Sequence, residues 1–223
     1  TLVPTATPTA ATPSVAPSAA RTINGCVNST YPSAACCSGY IAIDAALTAI
    51  GDSAFANCYD LMSVSFPSGG SLVSIGSSAF YQCGKLSGSL VIPNTVTSVG
   101  SSAFSGCADI RTLSLPSNGL VSIGDDAFSA CSQLSGAFTI AETVTYVGEG
   151  AFEGSFLTNA TIQFLSAIIT QIGTNAFGGS SGSGPCGSSG TAAGTLEVVP
   201  GLNASVYNPV KGNCKVVDFV SDA

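Results

Sequence analysis

Cys58, Cys83, Cys107 and Cys131 recur at intervals of 25, 24 and 24 residues, which raises the question of what a regular row of thiols can do. Small buried thiols pack well and leave few voids, and that is the preferred reading. Disulfides between neighbouring copies are the second, since stacked copies lie within the Cα separation a disulfide tolerates. A metal ladder has the weakest case, because the chain has no histidine and no C-x-x-C. The cysteine total of nine is odd, so at least one thiol is free or pairs between chains.

Two strings imitate enzyme motifs. Gly178-Gly-Ser180-Ser-Gly182 matches a nucleophile pattern, and Gly182-x-Gly184-x-x-Gly187 matches a dinucleotide loop. Both fall in one Gly/Ser stretch where such matches arise by chance. Without histidine a Ser-His-Asp relay cannot be built, and Pro185 with no helix after it removes the pyrophosphate reading. No catalytic residue, cofactor site or metal site is therefore nominated. Asp125, Asp126 and Glu149 fall on neighbouring copies and read as a solvated acidic edge in preference to a calcium site. Asp60, Lys85 and Asp109 alternate in sign down one column and read as a surface charge ladder. Asn28, Asn159 and Asn203 open N-x-S/T sequons and are candidate glycan sites, beside O-glycans on the Thr-rich tail.

Composition excludes more than it nominates. Only 8% of the 223 residues are charged, against roughly 25% in ordinary soluble domains. A net charge of -7 with five basic residues argues against nucleic acid, which needs clustered Lys and Arg. No apolar run approaches the ~20 residues that span a bilayer. The opening Thr suggests a mature chain whose leader has been removed. Together with the cysteines and sequons, it leads us to expect an extracellular protein, secreted or attached to a cell surface.

The elements that position these residues follow from a repeat. Phe55, Phe80, Phe104, Phe128, Phe152 and Phe177 are spaced 25, 24, 24, 24 and 25 residues apart, each following an Ile-Gly or Val-Gly pair. A period in the twenties indicates a solenoid of stacked coils. Within a coil, Val64-x-Phe66, Leu90-x-Ile92, Leu113-x-Leu115 and Phe138-x-Ile140 alternate as a strand with one buried face. Pro67, Pro93 and Pro116 end that strand, the glycine is expected to permit a tight turn, and Ala-Phe-x-x-Cys reads as one helical turn. Stacking at ~4.8 Å places each apolar residue above its counterpart.

These motifs resemble the BspA-like leucine-rich repeats, whose pattern is similar to I-G-x-x-A-F-x-x-C-x-x-L-x-x-I-x-I-P. The resemblance covers about residues 47 to 180 and departs at Ser155 and Ser180, in place of cysteine, and at Ala141, in place of proline. It implies a right-handed leucine-rich-repeat solenoid with a parallel sheet on one face, and a surface or secreted role in adhesion or binding.

The expected organisation is a Thr/Pro/Ala-rich tail over 1–25 and an N-terminal Cys-rich cap over 26–49 with Cys26, Cys36 and Cys37. Six repeats of 24–25 residues follow over 50–180, then a Gly/Ser loop and C-terminal cap over 181–223. Cys186 and Cys214 are candidates to staple the last cap, where Thr195–Val199 and Lys215–Val220 read as strands. The outward strand positions, Ser63/Ser65, Ser89/Val91, Thr112/Ser114, Ala137/Thr139 and Thr161/Gln163, make a flat, small, uncharged face. That face suits contact between like subunits better than recognition of charged partners. The preferred functional reading is a non-enzymatic structural protein that polymerises into an extracellular filament or coat through its tail and solenoid contacts. A monomeric adhesin or ligand-binding module is the alternative, and ice binding a distant third.

Overall fold

The structure, a computed structural model, describes residues 21–23, 37–155, 161–164, 169–178, 195–198 and 215–218. The tail residues 1–20, Cys26, Cys36, Cys186 and Cys214, the sequons at Asn28, Asn159 and Asn203, and Ser180 lie outside the described residues.

Between residues 38 and 172 each coil contributes two strands. The shorter ones are β1 (Arg21–Ile23), β3 (Leu47–Ile50), β5 (Ser74–Ile75), β7 (Ser98–Val99), β9 (Ser122–Ile123), β11 (Tyr146–Val147) and β13 (Gln171–Ile172). They pair in parallel, in that order, as one seven-stranded sheet. The others are β2 (Ser38–Ala42), β4 (Asp60–Ser65), β6 (Gly88–Val91), β8 (Ile110–Ser114), β10 (Phe138–Ile140), β12 (Thr161–Phe164), β14 (Thr195–Val198) and β15 (Lys215–Asp218). These form three separate parallel sheets, β2-β4, β6-β8 and β10-β12-β14-β15. The architecture is a parallel β-solenoid. A parallel sheet lies on one face as expected; it runs continuously there, and a second parallel sheet, split in three, lies on another side. The stretch 1–25 contributes Arg21–Ile23 to the continuous sheet, and the C-terminal strands continue the stack in parallel register.

The third side corrects the expected helical turn. Among the described residues Ala-Phe-x-x-Cys is a chain of turns and no helix forms. Alternate N–H groups bond three residues back, as Cys58 N–H does to the Phe55 carbonyl. The N–H groups between them leave for the next coil: Phe55, Phe80, Phe104, Phe128 and Phe152 each donate to an alanine carbonyl there at 2.7 Å. A helix would direct every N–H back along its own axis. Left-handed backbone at Ser53 and Asn57, Ser78 and Gln82, Ser102 and Gly106, and Asp126 and Ala130 breaks that pattern twice per coil.

The glycine column also has a different cause from the one expected. Gly76, Gly100, Gly124, Gly148 and Gly173 do not adopt positive φ. Their need is space, because a Cβ on Gly100 would lie 2.6 Å from the backbone of Gly76, and its counterparts are as crowded. The six phenylalanines stack directly above one another, buried, with ring centroids 4.9–5.4 Å apart and planes within 13°. Parallel offset rings are a favourable arrangement for buried aromatics.

Phe104→Ala is expected to cost about 3–5 kcal/mol in chemical denaturation, through transfer and cavity terms. Gly100→Ala, a single added methyl, is expected to destabilise clearly, whereas the exposed Val121→Thr stays within ~0.5 kcal/mol. Equal stability of Gly100→Ala and Val121→Thr would contradict the close coil contact.

Candidate functional site: the split strand face

The split in the second sheet arises from a two-coil unit. Ser38-Gly39, Ser87-Gly88 and Ser135-Gly136 precede alternate strands, with φ of 71°, 84° and 87° at the glycines. The register shifts just after Gly39 and Gly88. The coils with Ser87-Gly88 and Ser135-Gly136 are one residue longer between cysteine and strand end than the coils with Cys58 and Cys107. At Pro93 against Pro116 the following corner is one residue shorter, which restores the period. The extra residue is taken up as a bulge at the glycine, after which Leu90 pairs with Leu113 and both stay buried. Each Ser-Gly strand pairs with the strand after it and separates from the strand before it.

The separation starts at equivalent places. Ser87 N–H donates to the Met62 carbonyl at 3.0 Å and Ser135 N–H to the Arg111 carbonyl at 2.9 Å. Beyond these bonds β4 leaves β6 and β8 leaves β10. One groove of about 520 Å³ opens between β4 and β6, walled by Val64, Phe66, Pro67, Val91 and Pro93. A second, about 490 Å³, opens between β8 and β10, walled by Leu113, Leu115, Phe138 and Thr139. Ser114 belongs to both. No lining residue of either groove is titratable, so neither offers a general acid or base.

Exposed apolar side chains border the first groove. Tyr40, Met62 and Val91 are 66%, 56% and 55% exposed, and the Tyr40 hydroxyl donates to Ser65 Oγ at 2.9 Å. Tyr40 was overlooked in the sequence because β2 falls inside the stretch read as a cap. The signal that reveals the seams is the Ser-Gly pair at roughly twice the repeat period, which an alignment at 24–25 residues averages away.

The cysteines divide. Cys58 leaves the thiol row to form a disulfide with Cys37, Cα–Cα 4.6 Å, tying the first coil to the second. Cys83, Cys107 and Cys131 are buried free thiols. Their Sγ atoms donate to the carbonyls of Phe55, Phe80 and Phe104 at 3.1, 3.1 and 3.4 Å. Ser155 replaces cysteine in the next coil and makes the same bond, to the Phe128 carbonyl at 2.9 Å. Burial pushes the Cys107 thiol well up, and that of Cys131 to about 12 from an ordinary 9.0.

The acidic edge is a backbone cap. Asp125 Oδ1 accepts from the Tyr146 hydroxyl at 2.8 Å and from Glu149 N–H at 3.0 Å, and Asp52 accepts from Ser77 N–H at 2.7 Å. Partial burial, then Asp125 and Glu149, raise the Asp126 carboxyl above its usual range. Among the described residues no cluster of three or more His, Cys, Asp or Glu is placed to hold a metal. The expected charge ladder reduces to one exposed pair, Lys85 Nζ with Asp60 at 2.7 Å, which Asp109 does not join.

Comparison with known proteins decides the family. The sequence pattern of the BspA type leucine rich repeat region matches residues 48–183 in six copies. The chain belongs to the BspA-type leucine-rich repeat family. Its fold is similar to that of a T. pallidum leucine-rich repeat protein, at 21% identity and TM-score 0.57, covering 81% of this chain and 86% of that one. It is also similar to a leucine-rich repeat protein from Bacteroides ovatus, at 23% identity and TM-score 0.52, covering 72% of this chain and 41% of that one. No curated protein sequence matches. Among the described residues of this BspA-type solenoid no helix is long and apolar enough to cross a membrane.

The thiol row gives a pH test. A thiol is charged only when deprotonated, and the native state holds the Cys131 proton more tightly than the unfolded chain. Its contribution to stability is complete below pH 9.0 and is lost as pH rises to about 12. Cys131→Ser, which can keep the carbonyl bond as Ser155 does, is expected to weaken the alkaline loss in denaturation midpoints. Identical alkaline slopes for the two proteins would refute this account.

Proposed function

We propose that this protein is a non-catalytic interaction module acting outside the cell, and that it assembles with copies of itself through its split strand face and N-terminal tail. The observation that carries this reading is an uncharged groove lined by the exposed Val91, with the exposed Tyr40 bonded to its rim at Ser65. Exposed apolar surface rimmed by polar groups marks contact sites. Two further features favour a partner of the same kind. Few charges on the chain repel a second copy, and the end of the tail supplies β1, at the edge of the continuous sheet. Head-to-tail contacts that do not close make filaments, and strand addition at a sheet edge is an established joining mode. Glycans on Asn28, Asn159 and Asn203 belong to this reading as expectations of an exported chain.

A second reading, a monomeric adhesin or ligand-binding module, is favoured by the exposed side chains of Tyr40 and Met62, since Tyr and Met are enriched in recognition surfaces.

Removing residues 1–20, ahead of β1, is expected to leave a folded solenoid and to reduce particles seen by light scattering and electron microscopy to single chains. Particles of unaltered size would reject tail-mediated assembly. Single chains from the intact protein at every concentration would favour the adhesin.

A further inference from the structure

The two grooves lie on one side of the solenoid, two coils apart, which at the strand spacing is ~9.6 Å. A polyproline II chain repeats each face every three residues, at ~3.1 Å per residue, or ~9.3 Å. A chain of that form laid along the solenoid axis offers one side chain to each groove in register. An extended β peptide does not match, since its same-face side chains recur every ~6.8 Å.

This chain contains such a segment. Residues 1–20, TLVPTATPTAATPSVAPSAA, carry four prolines and no charged side chain. Pro-rich, small-residue sequences favour polyproline II. Neither groove has a charged lining residue, and both are walled by apolar groups with hydroxyl rims. A neutral segment therefore enters without stranding a charge on either side.

The point where the described chain begins puts this segment within reach. The segment ends where β1 begins, with Arg21 opposite Leu47 at the first strand of the continuous sheet. From β1 the grooves are two and a half and four and a half coils away, or ~12 and ~22 Å along the axis. Residues 1–20 extend ~62 Å as polyproline II. After about four residues for the turn back, Pro13 reaches the first groove and Ala10, three residues earlier, the second. A tethered segment also acts at a high effective concentration, which a separate copy lacks.

We propose that the two seam grooves bind the chain's own N-terminal segment, around residues 8–17, as a polyproline II strap. The inference rests on the assembly reading for its consequence: a strap held at home is withheld from a neighbour, and its exchange between copies is domain swapping.

The test uses the full chain with a photo-crosslinking residue in place of Thr12, prepared as an equal mixture of ordinary and isotope-labelled protein. The expected result is crosslinks to residues 64–70, 89–95 and 113–117, within single chains, in dilute solution. Ser114→Arg, a charge placed at the exposed residue the grooves share, is expected to abolish those crosslinks while the solenoid stays folded by circular dichroism. Crosslinks scattered away from this side, dominant crosslinks between labelled and unlabelled chains, or crosslinks that survive Ser114→Arg would each overturn the proposal. Particle size measured on the same samples separates the two ideas. Assembly without groove crosslinks overturns the strap alone, and groove crosslinks without assembly at any concentration support the strap and overturn the assembly reading.

Discussion

Glycine backbone resting on glycine backbone, coil after coil, sets how closely this solenoid can stack. At Gly100 the coil below is close enough that a methyl group has no room. That approach brings each coil within hydrogen-bonding distance of the next on its strand and turn sides. On the continuous sheet, the N–H of Gly76 reaches back to Ile50 O at 2.8 Å; on the turn side, the N–H of Phe55 reaches forward to Ala79 O at 2.7 Å. With the backbone satisfied between coils, the phenylalanines have no freedom left but to stack. Burying unpaired amides would cost more than any ring contact returns.

The same constraint explains the thiols. Each cysteine in the row faces a Phe carbonyl of the coil below that already accepts a backbone N–H, leaving one lone pair in an apolar interior. A small group with a weak donor fills that position, and a hydroxyl serves as well, which is why Ser155 continues the row. Cys58 is the exception because Cys37, from the preceding coil, supplies a covalent partner. Fixed ends keep a solenoid from stacking without limit.

Strict repetition and a usable surface pull in different directions. A perfectly regular face would be a closed ladder with nothing to offer a partner. The Ser-Gly pair in alternate coils adds a residue that is taken up as a bulge, and the shortened corner after it restores the period before the next glycine. The core is undisturbed while the outer sheet divides at two seams, each opening a groove. The irregularity is confined to the one side of the coil that does not set the stacking distance.

The sequence by itself determined the coil period, the inward row of phenylalanines and the family. Identical side chains at a fixed interval have only one way to bury one another, by stacking in register. It did not disclose that Ala-Phe-x-x-Cys is a chain of turns, since its composition suits a helix and the decisive N–H bonds go to residues two dozen positions away. Nor did it explain the glycines, whose neighbours are backbone atoms of another coil. Ser87-Gly88 and Ser135-Gly136 were visible as residues, yet their effect was not, because a bulge is defined only against the strand it pairs with, two dozen residues away. The tertiary structure alone decided which strands pair, which cysteine is bridged and where the grooves open. Each of those depends on a contact between coils, and local sequence carries no record of its own distant neighbours.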